Sequence, residues 1–276
     1  MLARARQAAS VAQPARSARR RAEVGGTSGR ALARPQLAGP AARAGRLVAA
    51  LGGRYSTQVG IDVDGGDAEV ERWFVAATLS GTRISATVAQ RTFHVLEGAG
   101  LSRIADAGRV PWDDLVALLD AGGYARYDLR TATRLHALSQ VVNEVYGGAA
   151  AALGRRFPTY PALRDALDRL PGWGPVTLQL FLRELRGVWP GAQPPLDERA
   201  RDAARHLGFI GPHGGPGGLE TLRALCADAQ LDIRDLESGL VRLALAHRRR
   251  AGACAGGDAC VLLPTAADPV TGPTSS

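Results

Sequence analysis

Along most of the chain the apolar positions recur three or four residues apart, the spacing of one buried face on an α-helix. Leu129 to Tyr146 shows it most clearly, with Ala132, Leu135, Leu138, Val142 and Val145 in one stripe. Before it, Trp73, Phe74, Ala77, Leu79, Ile84, Val88, Phe93, Val95 and Leu96 predict two helices broken around Ser80-Gly81-Thr82. Another helix runs from Trp112 to Leu119, opened at Pro111 and closed by Gly122-Gly123. After it, Leu163, Ala166, Leu167 and Leu170 mark a helix from Tyr160 whose first turn suits Pro161, and Val176 to Leu185 is largely apolar, as a buried helix is. Helices from Asp197 to Leu207-Gly208, from Leu219 to Ala229 and from Ile233 to His247 complete the pattern, with Pro212 to Gly218 as a loop. No alternating strand pattern competes, so an all-α protein is expected.

The ends break the pattern. Residues 1–46 are rich in Ala, Arg, Ser, Gly and Pro and carry too little large apolar surface to offset chain entropy, which reads as a disordered tail. Residues 47–70, with a Gly- and Asp-rich run from Gly60 to Asp67, read as a connector and the start of a second lobe. Residues 71–192, 193–250 and 251–276 follow as a first helical lobe, a second helical lobe, and a degenerate Cys loop with a flexible tail.

The formal charge of +8 changes meaning once it is located. Ten of the 34 basic residues fall in the first 46 positions against one acid, Glu23, which leaves 24 against 25 elsewhere. The folded part is about neutral, so any positive footprint there must come from local clustering. All the basic residues are arginines. The tail fits an organellar leader, a genome-wide bias, or sequence-independent attraction to phosphate. No run of about 18 apolar residues exists, so no membrane span is expected. Three cysteines, Cys226, Cys254 and Cys260, form no disulfide framework and point to a reducing, cytoplasmic setting.

Candidate chemistry concentrates at Leu170-Pro171-Gly172-Trp173-Gly174-Pro175-Val176-Thr177, a turn between two helices. Gly172 and Gly174 permit positive dihedrals and close approach, and Pro175 can open the next helix. Such a turn leaves amide N–H groups unpaired at a helix start, where the dipole favours an anion such as phosphate. A tight helical hairpin with no ligand uses the same residues.

That stretch, the apolar helix after it, the turn at Trp189-Pro190, and Leu196-Asp197 opening a helix that ends in Leu207-Gly208 together resemble the helix-hairpin-helix DNA glycosylases of the endonuclease III type. The resemblance runs from about Arg72 to Gly208. It implies two helical lobes with a cleft between them, double-stranded DNA as partner, and a monomer associated with the nucleoid. It also implies a hairpin (Leu170, Pro171, Gly172, Trp173, Gly174, Thr177) that grips a DNA phosphate, with a monovalent cation compatible with that turn. Asp197 then takes part in cleaving the bond between base and sugar, alongside the N-cap role that an aspartate there has by itself. Thr82 and Arg83 stand where the family has a minor-groove loop with a gap-filling glutamine, and a helix-capping turn is the other reading. Tyr124 and Tyr127 are candidates to stack on an extruded base or to pack in the core. Arg199 stands where a histidine is common.

Val176 occupies the position of the lysine that forms a Schiff base in bifunctional members, and the chain has no lysine to replace it. A monofunctional glycosylase is therefore expected, with a non-catalytic DNA-binding protein on the same hairpin as the alternative and a protein-binding helical module as a third reading. Cys254 and Cys260 repeat the final spacing of the family's iron-sulfur loop, preceded by His247, but two cluster ligands are missing. Zinc lacks a visible fourth ligand beside those three, so no metal and no cofactor are expected.

Overall fold

The computed structural model describes residues 39–81, 84–211, 217–249 and 254–263. Among them the regular structure is helical throughout and no strand occurs. The α-helices are α1 Pro40–Leu51, α2 Tyr55–Gln58, α3 Asp67–Ser80, α4 Ala86–Gly98, α5 Trp112–Gly122 and α6 Asp128–Tyr146, followed by α7 Ala152–Arg156, α8 Tyr160–Asp168, α9 Pro175–Glu184, α10 Glu198–His206, α11 Gly218–Ala229 and α12 Ile233–Arg249. Short 3-10 turns lie at Val63–Gly65, Ile104–Arg109 and Gly257–Ala259. None of the described helices is long and apolar enough to cross a membrane.

The first helix corrects the reading of residues 1–46 as a disordered tail. Pro40 to Arg46 are helical, because Pro40 suits a first turn and Ala44 and Leu47, three apart, are completely buried against α11 and α12. One apolar stripe of small residues suffices there, and an average over the whole arginine-rich stretch hides it. Residues 1–38 lie outside the described residues. The Gly60 to Asp67 connector likewise holds Ile61 and Val63 inside the core.

Buried apolar side chains form two clusters. One gathers Ile61 through Ala192, with Trp73 and Phe74 of α3, Phe93 of α4, Leu115 of α5, Leu138 of α6 and Phe181 of α9. The other joins Ala44 and Leu47 of α1 to residues from Leu196 onward, including Ala204 of α10, Leu222 of α11, Leu240 of α12 and Cys260. Polar contacts link them. Glu184, at the end of α9, accepts hydrogen bonds from the N–H groups of Tyr55 and Ser56 (2.9 and 3.2 Å) and from the hydroxyls of Ser56 and Ser238 (2.8 and 3.2 Å). Arg186 pairs with Glu237 at 3.1 Å, both almost wholly buried, and also donates to the Pro194 carbonyl at 2.7 Å. A buried pair of this kind fixes geometry more than it adds stability, since each ion has given up its water.

Candidate functional site

The hairpin is held from below and open above. After α8, Leu170 and Trp173 turn inward and are 3% and 5% exposed. Trp173 stacks on Phe74 (centroids 4.5 Å apart), meets Phe181 edge-on at 5.1 Å, and donates from its indole N–H to the Thr78 hydroxyl at 3.2 Å. These two side chains therefore anchor the turn, and any contact they make with a ligand falls to the backbone. Gly172 adopts φ +76°, which a side chain rarely tolerates. Among the described residues the N–H groups of Gly172, Gly174, Val176 and Thr177 have no hydrogen-bond acceptor, because α9 makes its first bond only from Leu178 to the Gly174 carbonyl at 3.0 Å. Pro171 is partly exposed, whereas the Thr177 side chain is buried.

Arg134 of α6 lies directly against Gly172, so that a methyl group at Gly172 would overlap its side chain. Its guanidinium makes no hydrogen bond or ion pair among the described residues. Burial pushes its pKa below the usual arginine value, with Tyr124 opposing and Arg130 adding to the effect. A half-buried arginine without a carboxylate is a favourable place for an external anion. Periodicity gave no reason to single it out, since it is one arginine among several along α6.

Of the Ser80 to Arg83 turn, Thr82 and Arg83 lie outside the described residues. Its flank is close to the hairpin: a methyl group at Gly81 would overlap the Thr177 hydroxyl. Past the turn, Ser85 caps α4 by accepting from the Val88 N–H at 3.2 Å.

A cavity of about 800 Å³ opens beside this corner. Pro175, Val176 and Gln179 of α9 line it, as do Ser80 and Ile84 around the turn, Leu245 of α12, and Asp197. Asp197 caps α10: its Oδ1 accepts from the N–H groups of Arg199 (2.8 Å) and Ala200 (3.4 Å). Its Oδ2 has no hydrogen-bond partner among the described residues. The segment entering Asp197 is braced twice, by the Gln179 amide donating to the Pro195 carbonyl at 2.9 Å and by Arg186 on Pro194. One carboxylate oxygen is thus fixed and the other remains for a ligand. Val176 is 55% exposed and borders the same space. Arg199 lines it as well.

The two tyrosines do not join this site. Tyr124 is completely buried and its hydroxyl donates to the Leu79 carbonyl, so it has no ring face to offer an extruded base. Tyr127 is half-buried against the first core cluster. Of the aromatics that do line the cavity, Trp73, Phe93 and Tyr55, the last has the Arg242 guanidinium 3.7 Å and that of Arg183 5.5 Å from its ring centre. It was invisible in a segment without helical periodicity.

Comparisons with protein-family models, with curated proteins and with solved structures find no match to this chain.

Proposed function

We propose that this chain is a helix-hairpin-helix DNA glycosylase built as two helical lobes about a cleft, hydrolysing the N-glycosidic bond of a damaged or mismatched base in double-stranded DNA. The observation that carries the reading is that Val176, opening the hairpin helix, and Asp197 line one cavity. A hairpin that held a backbone phosphate through the open N–H groups after Gly172 and through Arg134 would set the strand beside that cavity, where an extruded nucleotide could enter.

In this mechanism the bond from sugar C1′ to the base breaks first, with the bonding electrons leaving on the base. The Asp197 carboxylate stabilises the positive charge that grows on the sugar, while its Oδ1 stays tied to the helix cap. Water then adds its oxygen at C1′ and its released proton passes to the departed base, leaving an intact abasic site and a neutral free base. Val176 offers no amine, and the chain has no lysine, so water is the nucleophile and the enzyme is monofunctional. It works as a monomer in the cytoplasm at the nucleoid, and bond cleavage itself uses no cofactor.

The test is base release from duplexes carrying oxidised, alkylated, deaminated or mismatched bases, read by alkaline cleavage, for the wild type and Asp197→Asn. Asn keeps a capping oxygen, so stability should change by about 1 kcal/mol or less, while base release should fall roughly a hundredfold or more. Release at the wild-type rate in the folded variant would reduce Asp197 to a cap. Salt-dependent duplex binding with no base released from any substrate would favour the non-catalytic DNA-binding protein, and absence of such binding would overturn both readings.

A further inference from the structure

Away from the cavity, four side chains that the sequence scatters come together. His206 ends α10, His247 lies in the last turns of α12, and Cys254 and Cys260 bracket the loop that follows. Each brings one donor atom, and the four donor atoms all lie within 4.8 Å of one another. The His247 Nε2 is 3.4 Å from the Cys260 sulfur, and the two imidazole rings stand nearly edge to face with centres 4.7 Å apart. The His206 Nε2 is buried and has no hydrogen-bond partner among the described residues. This is the fourth donor that the spacing of His247, Cys254 and Cys260 does not show.

The family's four-iron cluster does not fit these donors. It is held by four thiolates, and the third cysteine, Cys226, sits in α11 outside the group. A two-iron centre with two imidazoles and two thiolates fits no better. It carries the imidazoles on one iron and the thiolates on the other, whereas here an imidazole nitrogen and a sulfur are nearly in contact. A single tetrahedral ion fits: bonds of ~2.0 Å to nitrogen and ~2.3 Å to sulfur place neighbouring donors about 3.3–3.8 Å apart, within reach of small side-chain rotations from the observed spread.

We propose that His206, His247, Cys254 and Cys260 form a closed zinc site that pins the C-terminal loop to α10 and α12. Two imidazoles and two thiolates leave no open position, which makes the site structural. The ion's two positive charges are cancelled by the two thiolates, so the assembly adds no net charge. The loop is shaped for it. Gly256 adopts φ +74° and presses on His206, where a methyl group would overlap the His206 carbonyl oxygen and approach the ring to 3.2 Å. The Val261 N–H donates to the Cys254 sulfur at 3.4 Å, the kind of outer contact that steadies a metal thiolate. Asp258, at the loop's tip, is gripped by Arg43 at 2.6 Å and by Arg46 at 2.8 Å, and Arg43 also reaches the Leu207 carbonyl at 2.5 Å. Apart from Cys260 and Leu263 the loop buries little apolar surface, so an ion supplies the cohesion that a core would otherwise give.

The experiment uses the full chain. Metal content is measured after purification, then cobalt(II) is added to protein stripped with a chelator, and thermal unfolding is followed with and without zinc(II). The expected result is one zinc per chain, a thiolate-to-cobalt charge-transfer band with the intense visible bands of a tetrahedral site, and a melting temperature that falls on stripping and returns with zinc. Cys254→Ser and His206→Asn should each weaken zinc binding by more than the roughly 10–100-fold that loss of an outer partner costs. Folded wild-type protein that binds neither zinc nor cobalt overturns the proposal, as does iron with inorganic sulfide in place of zinc. Unchanged zinc content in both variants overturns it too. None of these readouts depends on DNA or on base release, so the site stands or falls apart from the glycosylase reading.

Discussion

The turn at Gly172 and the turn at Gly256 share a positive φ, +76° and +74°, and each is pressed against a neighbour too closely for a side chain. They differ in the polarity of what surrounds them. Around Gly172 the open groups are donors: four amide N–H groups and the Arg134 guanidinium. Around Gly256 the converging groups are potential metal ligands, namely two sulfurs and two imidazole nitrogens. The first arrangement suits an anion arriving from solvent, the second a cation enclosed by the chain. A glycine with positive φ only permits such a turn. The groups converging on it decide the ligand.

The contrast can be broken most forcefully at Gly256. Its neighbour is the His206 backbone, which cannot swing aside, so Gly256→Ala should cost about 1–3 kcal/mol for the dihedral alone, with displacement of the His206 carbonyl added to it. Denaturant unfolding should show the loss, and zinc content should fall with it. At Gly172 the neighbour is a flexible arginine side chain. Gly172→Ala should therefore cost only about 1–2 kcal/mol, leave zinc untouched and weaken duplex binding. Equal losses of stability with no change in DNA affinity would mean that the two turns are alike after all.

A smaller effect sharpens the donor side. Arg134→Met keeps the aliphatic packing under Gly172 and removes the charge. If the guanidinium meets a phosphate, duplex affinity should drop by about 1.5–3 kcal/mol, the value of a hydrogen bond to a charged group, and the slope of log affinity against log salt should shrink by about one phosphate. Stability should hold or rise, since a cation without a partner among the described residues has left a half-buried position. A wild-type salt slope would take Arg134 out of the interface.

How far the sequence reached follows the same division between local and convergent features. Helices such as α5, ending at Gly123 with φ +94°, and α6 are written within their own segments, as stripe and cap, and were legible there. So was the capping position of Asp197. Helix α1 was not, because its stripe is alanine and leucine in an arginine-rich context whose average suggests no fold. Tyr124 was ambiguous, since an aromatic near a helix start reads alike whether it packs or stacks, and only burial separates the two. Arg134 beside Gly172 and His206 beside Cys260 were out of reach for a different reason. Periodicity orders residues along one element, and these pairings depend on where separate helices end in space.

The smallest expected effect lies at the seam between the two core clusters, where charge is paired instead of left open. Arg234 bonds Asp232 at 2.7 Å and Asp64 at 2.8 Å, and reaches the Glu184 carbonyl at 3.3 Å. Its hydrogen bonds hold the Asp64 carboxyl below the ordinary range, and at Asp232, where burial pushes upward, the same guanidinium overcomes it. Both carboxyls ionise more readily in the folded chain than in the unfolded one. Their contribution is therefore complete above about pH 4, the unfolded value, and is lost as pH falls through the lower folded values. Arg234→Met should lower the urea midpoint at neutral pH and flatten its decline in acid relative to the wild type, while release of zinc in acid is common to both chains and cancels in the difference. The change should be smaller than at Gly256, because Asp64 is 47% exposed and water screens the pair. An identical acid decline in the two chains would show that this paired seam, unlike either turn, contributes no electrostatic stability of its own.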